Sequence, residues 1–458
     1  MREGSPAGVG PDTIAAVSSG AGPAAVAVIR LSGPQAGEAV LALTGGLPEP
    51  RRASLATLRH PVDAGLLDRA LVLWLPGPGS ATGEDMAEFQ VHGGRAVVVA
   101  VLAALAAVPG VRPAEPGEFT RRAFLNGRMD LTEVEGLADL IGAETEGQRR
   151  LAAAHAFGHL GTRVEAWRGR LVRAMALIEA GIDFAEEEDV PRETRAAAKP
   201  ELEALATELA VALADRRGEL VREGATIAIA GRPNAGKSSL MNALAARDVA
   251  IVSDEPGTTR DVIEVGLDLR GQKAVLIDTA GLRESGAGTV EAEGIRRALA
   301  RIASADLVLW VHDAASGPAP SAMPAIAAGA GAAMWLVANK TDAAGPFAGA
   351  PVSWAEHVLA VSARTGAGLD ALMDSLAEWL GTRLGGGEHP ALIRARHRAA
   401  AGEVARLLDP LLAGWDGLDD ELIAEELRRA AVELGRLTGR IDIEDLLDVV
   451  FREFCIGK

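Results

Sequence analysis

Cysteine is almost absent: Cys455 is the only one in 458 residues. An intramolecular disulfide framework is therefore excluded, and this usage fits a reducing compartment. No run approaches about eighteen uninterrupted apolar residues, which argues against a membrane-spanning helix. The opening MREGSPAGVGPD lacks the charged-then-apolar layout of a secretory leader, so the expected location is the cytoplasm. A basic excess is missing as well. The net charge is −17, whereas a general nucleic-acid binder presents a broad basic face. Any RNA contact must then be local or shared with a partner. Arginines do gather at Arg149, Arg150, Arg163, Arg168, Arg170 and Arg173, and again at Arg394, Arg396 and Arg398, and both groups are read as solvated helix faces. Lysine is scarce: Lys199, Lys237, Lys273, Lys340 and Lys458 are the five among 46 basic residues. Two of them fall inside motifs described below, where a compact ammonium is needed rather than a planar fork.

What is present is a globular composition, 48% hydrophobic and 24% charged. The length suits roughly two to four domains. Residues 1–126 read as an α+β domain, with strand character in TIAAV, VAVIRLSG, ALVLWLP and AEFQVHGG, a helix over Ala96 to Ala107, and a loop through PGEFTRRAFLNG. Residues 127–222 carry apolar residues at helical spacing, with AEEEDVP as an acidic break. Residues 223–382 alternate strand and helix, which implies a mainly parallel sheet covered by helices. VIEVGLDLRGQKAVLID is the exception and reads as a hairpin turned at Arg270 to Gln272. After RLGGGEHP, residues 383–458 return to helical texture. The expected fold is multidomain: an α+β N-terminal domain, then a helical domain interrupted by an inserted P-loop α/β domain.

GRPNAGKS, Gly231 to Ser238, fits G-x-x-x-x-G-K-[ST] without a gap, between a strand-like run and the helix-like SSLMNALAA. Glycines let backbone N–H groups face phosphate oxygens, and the helix N-terminus adds partial positive charge. Lys237 would reach the β and γ phosphates and Ser238 would ligate Mg²⁺. GTTRD supplies Thr259 to close over the γ-phosphate and its Mg²⁺; DTAG places Asp278 near the metal and the Gly281 N–H near the γ-phosphate. In NKTD, the Asp342 carboxylate can accept from guanine N1–H and its amine while Asn339 meets the other edge, which selects GTP over ATP. SAR, 362–364, backs up the base. One position is anomalous. GTPases such as Ras orient the attacking water with a glutamine after the DTAG glycine, and here that residue is Leu282.

GRPNAGKSSLMNAL, IVSDEPGTTRD, DTAGLRE and the ending FCIGK, with the N-terminal VIRLSG, LPGPGSATGED, VHGG and PGEFTRRAFLNGRMDL, resemble the MnmE (TrmE) family of tRNA-modification GTPases over essentially the whole length. The resemblance implies a nucleotide site of Asn234, Ala235, Gly236, Lys237, Ser238 and Ser239; of Ser253, Asp254, Glu255, Pro256, Gly257, Thr258 and Thr259; of Asp278, Thr279, Ala280 and Gly281; and of Asn339, Lys340, Asp342, Ser362, Ala363 and Arg364. It further implies K⁺ as the activating charge, held by Asn234, Ser253, Glu255 and Thr258, in the role an arginine finger fills elsewhere. Water positioning would fall to Glu291, with Glu293 as the alternative.

The same resemblance implies a folate-binding-like N-terminal domain in which Arg30, Glu88, Arg128 and Lys458 contact a 5-formyl- or 5,10-methylene-tetrahydrofolate. Members often carry lysine at Arg128. Cys455 is either a chemically active thiol or an inert small hydrophobe. His92 is read as a satisfied core histidine, with a pocket-lining role as the alternative. Implied partners are a second copy of the chain, an FAD-bearing MnmG-type flavoprotein and tRNA, with an aminomethyl or carboxymethylaminomethyl group added to C5 of the wobble uridine. The rival expectation is a ribosome-assembly or regulatory switch of the Era/Der type, which shares the phosphate loop and the hydrophobic residue after DTAG. No second G domain, no GXXG-bearing C-terminal RNA module and the CIGK tail weigh against it.

Overall fold

The computed structural model describes residues 12–20, 22–184, 190–247, 250–251, 264–278, 303–322, 332–345, 347, 352–387, 389–440, 451, 454 and 457. Chain contacts divide it into two units, one of residues 1–138, 155–205 and 403–458, the other of 139–154 and 206–402.

The first unit opens with strands β1 (Thr13–Val17) and β2 (Val26–Ser32), helix α1 (Ala36–Thr44), then β3 (Ser54–Arg59), β4 (Leu66–Leu75), β5 (Met86–His92), α2 (Arg95–Ala106) and β6 (Val111–Pro113). The strands order as β3-β4-β5-β2-β1-β6, antiparallel except for the parallel β1–β6 pair. Period-two alternation decides the faces: Ala27, Ile29 and Leu31 of β2 and Ala87, Phe89 and Val91 of β5 are buried in one cluster. Against them lie Ala36, Ala39, Val40 and Leu43 of α1 and Val101, Ala104 and Leu105 of α2, the i, i+3, i+4, i+7 stripe expected of a helix covering a sheet. Each buried valine, leucine, isoleucine or phenylalanine among them contributes about 1.5–3 kcal/mol, and each alanine methyl about 0.8. The opposite face keeps Arg30 and Glu88 as cross-strand neighbours.

The stretch expected to be a loop, PGEFTRRAFLNG, instead contains helix α3 (Glu118–Leu125). Charge holds it. Arg122 is only 4% exposed, its guanidinium donating to Glu84 Oε2 at 3.1 Å, Glu118 Oε1 at 3.1 Å and Asp12 Oδ1 at 3.2 Å. Glu118 is one turn away on the same helix, but Glu84 and Asp12 are 38 and 110 positions distant, so local propensity could not reveal what holds the helix. His92 also departs from expectation. Its side chain is 71% exposed, with Nδ1 2.8 Å from Asp68 Oδ1, so it is not a core residue.

Past α3 come α4 (Leu131–Ile141), α5 (Glu146–Ala156), α6 (His159–Asp183), α7 (Val190–Ala214) and α8 (Arg217–Glu223). The acidic break falls largely on 185–189, outside the described residues.

The second unit holds a seven-stranded sheet of β7 (Ala225–Gly231), β8 (Ala250–Ile251), β9 (Glu264–Leu269), β10 (Gln272–Asp278), β11 (Leu307–Asp313), β12 (Ala333–Asn339) and β13 (His357–Ala360). Its order is β13-β12-β11-β7-β10-β9-β8, parallel apart from the β10–β9 and β8–β9 pairs. The expected hairpin is present, turned at Arg270 and Gly271. Helices α9 (Lys237–Ala245), α10 (Thr341–Ala344) and α11 (Leu369–Leu384) belong to this unit. Ile227 and Ile229 of β7 face one buried cluster and Ala228 and Ala230 the other, as a doubly covered strand requires.

Two further helices follow, α12 (Ala395–Ala413) and α13 (Asp420–Thr438). In the first unit α13 packs along α6. Leu160, Val164, Trp167, Leu171, Ala174 and Ile178 on α6 and Ile423, Leu427, Ala430, Leu434 and Leu437 on α13 are all buried. Their steps of three and four residues form a heptad-like seam. Arg428–Glu179 at 3.2 Å and Arg440–Glu165 at 3.1 Å edge it and make the pair antiparallel.

Candidate nucleotide site

β7 leads into the phosphate loop and α9 begins at its lysine. Two loop residues hold left-handed backbone angles, Asn234 at φ 63° and Gly236 at φ 93°. A Cβ on Gly236 would also collide with the Asn339 amide nitrogen, so only glycine fits. Between them Ala235 plugs the core at 2% exposure. Lys237 Nζ donates to the Gly231 and Arg232 carbonyls, each at 3.1 Å. The ammonium thus lies across the loop, where phosphate oxygens would exchange with those carbonyls.

Ser238 Oγ donates to Asp278 Oδ2 at 3.1 Å. Parallel pairing of β10 with β7 brings them together, with Asp278 opposite Ile229. A hydroxyl and a nearly buried carboxylate are hard oxygen donors of the kind Mg²⁺ accepts, so these side chains fit that ion. Ser239 is exposed on the first turn of α9.

The NKTD motif, expected to read guanine, begins at the end of β12. Asn339, 1% exposed, donates through Nδ2 to the Ala235 carbonyl at 3.1 Å and accepts at Oδ1 from the Ala363 N–H at 3.0 Å. It therefore ties the phosphate loop to the SAR loop. Ser362 Oγ donates to Asp342 Oδ1 at 2.7 Å, and Arg364 lies 3.9 Å from Asp342 Oδ2. Lys340 Nζ donates to the Asn234 carbonyl and to Asp313 Oδ2, both at 2.7 Å. Hydrogen bonding from Lys340 holds the Asp313 carboxyl below its ordinary value. Asp313 belongs to no motif read from the sequence; its only signal was a lone aspartate closing a strand, in VHDAAS.

Ser253, Asp254, Glu255, Pro256, Gly257, Thr258 and Thr259 lie outside the described residues, as do Thr279, Ala280, Gly281, Leu282, Glu291 and Glu293, and Cys455 and Lys458.

Family models match most of the chain: GTP-binding protein TrmE N-terminus over residues 13–128 and MnmE helical domain over 131–455. The chain belongs to the MnmE family. Curated MnmE relatives agree. One from Azorhizobium caulinodans, named tRNA modification GTPase MnmE, is 52% identical over 98% of this chain and 99% of its own. Another of that name, from Parvibaculum lavamentivorans, is 52% identical over 89% of this chain and 91% of its own.

In this MnmE chain the residues implied for folate are partly brought together. Arg30 and Glu88 bind each other, Nη2 to Oε1 at 2.8 Å, with the Arg30 guanidinium 5.9 Å from the Phe119 ring centroid. Arg128 is exposed, and its stem runs beside Gly83. Gly457 is seated on the N-terminal sheet: Ser18 Oγ donates to its carbonyl at 2.7 Å, and a Cβ there would collide with the Val17 carbonyl oxygen. Among the described residues no helix is long and apolar enough to cross a membrane.

Proposed function

We propose that this MnmE chain hydrolyses GTP in a Mg²⁺- and K⁺-dependent way, and that this turnover serves modification of C5 of the wobble uridine in certain tRNAs. The observation carrying the GTPase reading is the Asn339 side chain, which bonds the phosphate loop and the SAR loop at once. A base reader joined to a phosphate cradle suits a guanine nucleotide.

Ser238 and Asp278 would hold Mg²⁺, which offsets charge on the phosphates. Asn234 is exposed with its carbonyl committed to Lys340, a placement compatible with an amide oxygen offered to K⁺. Lys237 keeps an ammonium at the mouth of the loop. In the tRNA step, supported by membership of the family, an FAD-dependent MnmG-type partner and a tetrahydrofolate derivative take part. Arg30 and Glu88 would each exchange their mutual bond for one to the folate, a fit that needs the pair to open. The net charge of −17 is consistent with a partner carrying most of the tRNA, and by family membership the chain would act as a homodimer in the cytoplasm.

Hydrolysis of GTP in KCl and in NaCl at equal ionic strength tests the reading. Turnover is expected in potassium and not in sodium. Equal rates would remove the K⁺ assignment, and no GTP turnover in either salt would remove the GTPase itself.

A further inference from the structure

We propose that Asp313 is a positioning residue of the nucleotide site, clamping Lys340 onto the phosphate loop; this rests on the guanine-nucleotide reading above. Asp313 closes β11 and pairs in register with Asn339 on β12, so the strand pairing itself delivers its carboxylate to the next residue, Lys340. One oxygen takes the ammonium at 2.7 Å, and the other accepts the Ala315 N–H at 3.0 Å. The carboxylate is thereby oriented from both sides and cannot turn away without losing a bond. The ammonium in turn donates to the Asn234 carbonyl at 2.7 Å.

Asn234 holds a left-handed backbone angle, φ 63°. Such angles cost a non-glycine residue energy and persist only where neighbours over-determine them. The Lys340 ammonium is one such neighbour. Lys340 has a long stem with large rotamer freedom and a side chain 38% exposed. A single neutral carbonyl holds it less firmly than a carbonyl and a carboxylate together, since bonds to an ionised acceptor are the stronger ones. Remove the carboxylate, and the ammonium is free to leave for solvent, taking its support from Asn234.

The sign of the effect discriminates. A nucleoside di- or triphosphate is strongly anionic, so loss of a nearby negative charge would tighten binding by plain electrostatics. A clamp predicts the reverse. In the full chain, Asp313→Asn should release fluorescent GDP about five- to ten-fold faster, roughly the worth of one net hydrogen bond, with kcat at saturating GTP kept within about two-fold. In a Lys340→Met background the same substitution should add nothing beyond about two-fold, because the residue acts through that ammonium. Release that is unchanged or slower in Asp313→Asn overturns the assignment, as do additive effects in the double variant. Wild-type protein that binds no GDP overturns the nucleotide reading as well, and does so before any substitution is made. Should Asp313→Asn fail to fold, Asp313→Glu keeps the charge but displaces it by a methylene. A smaller acceleration that vanishes in the Lys340→Met background then supports the clamp, and its persistence there refutes it.

Discussion

Asn339 and Ala363 are joined by a 3.0 Å hydrogen bond from the alanine N–H to the asparagine side-chain oxygen, while the amide nitrogen of the same side chain reaches the Ala235 carbonyl at 3.1 Å. One nearly buried side chain thus sets the spacing between the loop for phosphates and the loop behind the base. Asn339→Ala leaves the buried Ala235 carbonyl and the partly buried Ala363 N–H without these partners, at a cost of about 1–3 kcal/mol for the buried carbonyl and less for the N–H. Chemical denaturation of the nucleotide-free protein should show this loss, and guanine-nucleotide affinity should fall in parallel. An unaltered midpoint would mean that the two loops do not depend on Asn339.

The 3.1 Å contact between Ser238 Oγ and Asp278 Oδ2 predicts a metal phenotype. Ser238→Ala should raise the Mg²⁺ concentration needed for half-maximal turnover at least several-fold, and Asp278→Asn should do the same. Titrating Mg²⁺ at saturating GTP measures both, and curves superimposing on wild type would place the metal elsewhere.

Base choice should follow Asp342. Xanthine carries a carbonyl where guanine has its amine, so an amide in place of the carboxylate can donate where the acid could only accept. Asp342→Asn is expected to lose most GTP turnover and to gain turnover of XTP. Equal loss with both nucleotides would show that this carboxylate does not read the base.

In the first unit, burial alone would push the Glu118 carboxyl up. Hydrogen bonds from Arg112, the Glu115 N–H and Arg122 outweigh it and hold the group below its ordinary 4.5. A depressed folded value contributes stability that is complete above pH 4.5 and is lost as the pH falls through the folded value. Urea midpoints compared at neutral pH and below pH 4.5 should therefore drop less in Glu118→Gln than in wild type. Arg122→Met should be worse at neutral pH, approaching about 3 kcal/mol, because it takes the cation from the nearly buried Glu84 carboxylate while Arg112 still pairs with Asp12 and Glu118.

Gly457 offers a separation of activities. Its carbonyl accepts from Ser18 and its α-carbon leaves no room for a methyl group against Val17. Gly457→Ala should unseat the C-terminal tail, abolishing tRNA modification while leaving GTP hydrolysis within about two-fold of wild type. Retained modification would detach the tail from the chemistry.

The strands and helices of the nucleotide-binding unit were legible in the amino acids because their signals are local. A phosphate loop is specified by glycines and a lysine at set intervals, a sheet strand by an apolar run, and both survive without knowledge of the partner. In the first unit TIAAV was bounded to the residue. The same local logic missed α3, whose defining arginine finds its carboxylates up to 110 positions away. It also placed His92 in the core, because a histidine inside an apolar strand gives no hint of which end of the sheet is bare.

Sequence alone therefore determined the chemistry on offer: which residues could cradle phosphate, meet a metal or read a base. Tertiary structure decided which of them touch. Ser238 reaches Asp278, Asn339 spans two loops, and Arg30 closes on Glu88, because strand pairing juxtaposes residues that spacing along the chain does not relate. Asp313 is the clearest case. Along the chain it is only a lone aspartate closing a strand, and the register of β11 against β12 makes it the neighbour of Lys340.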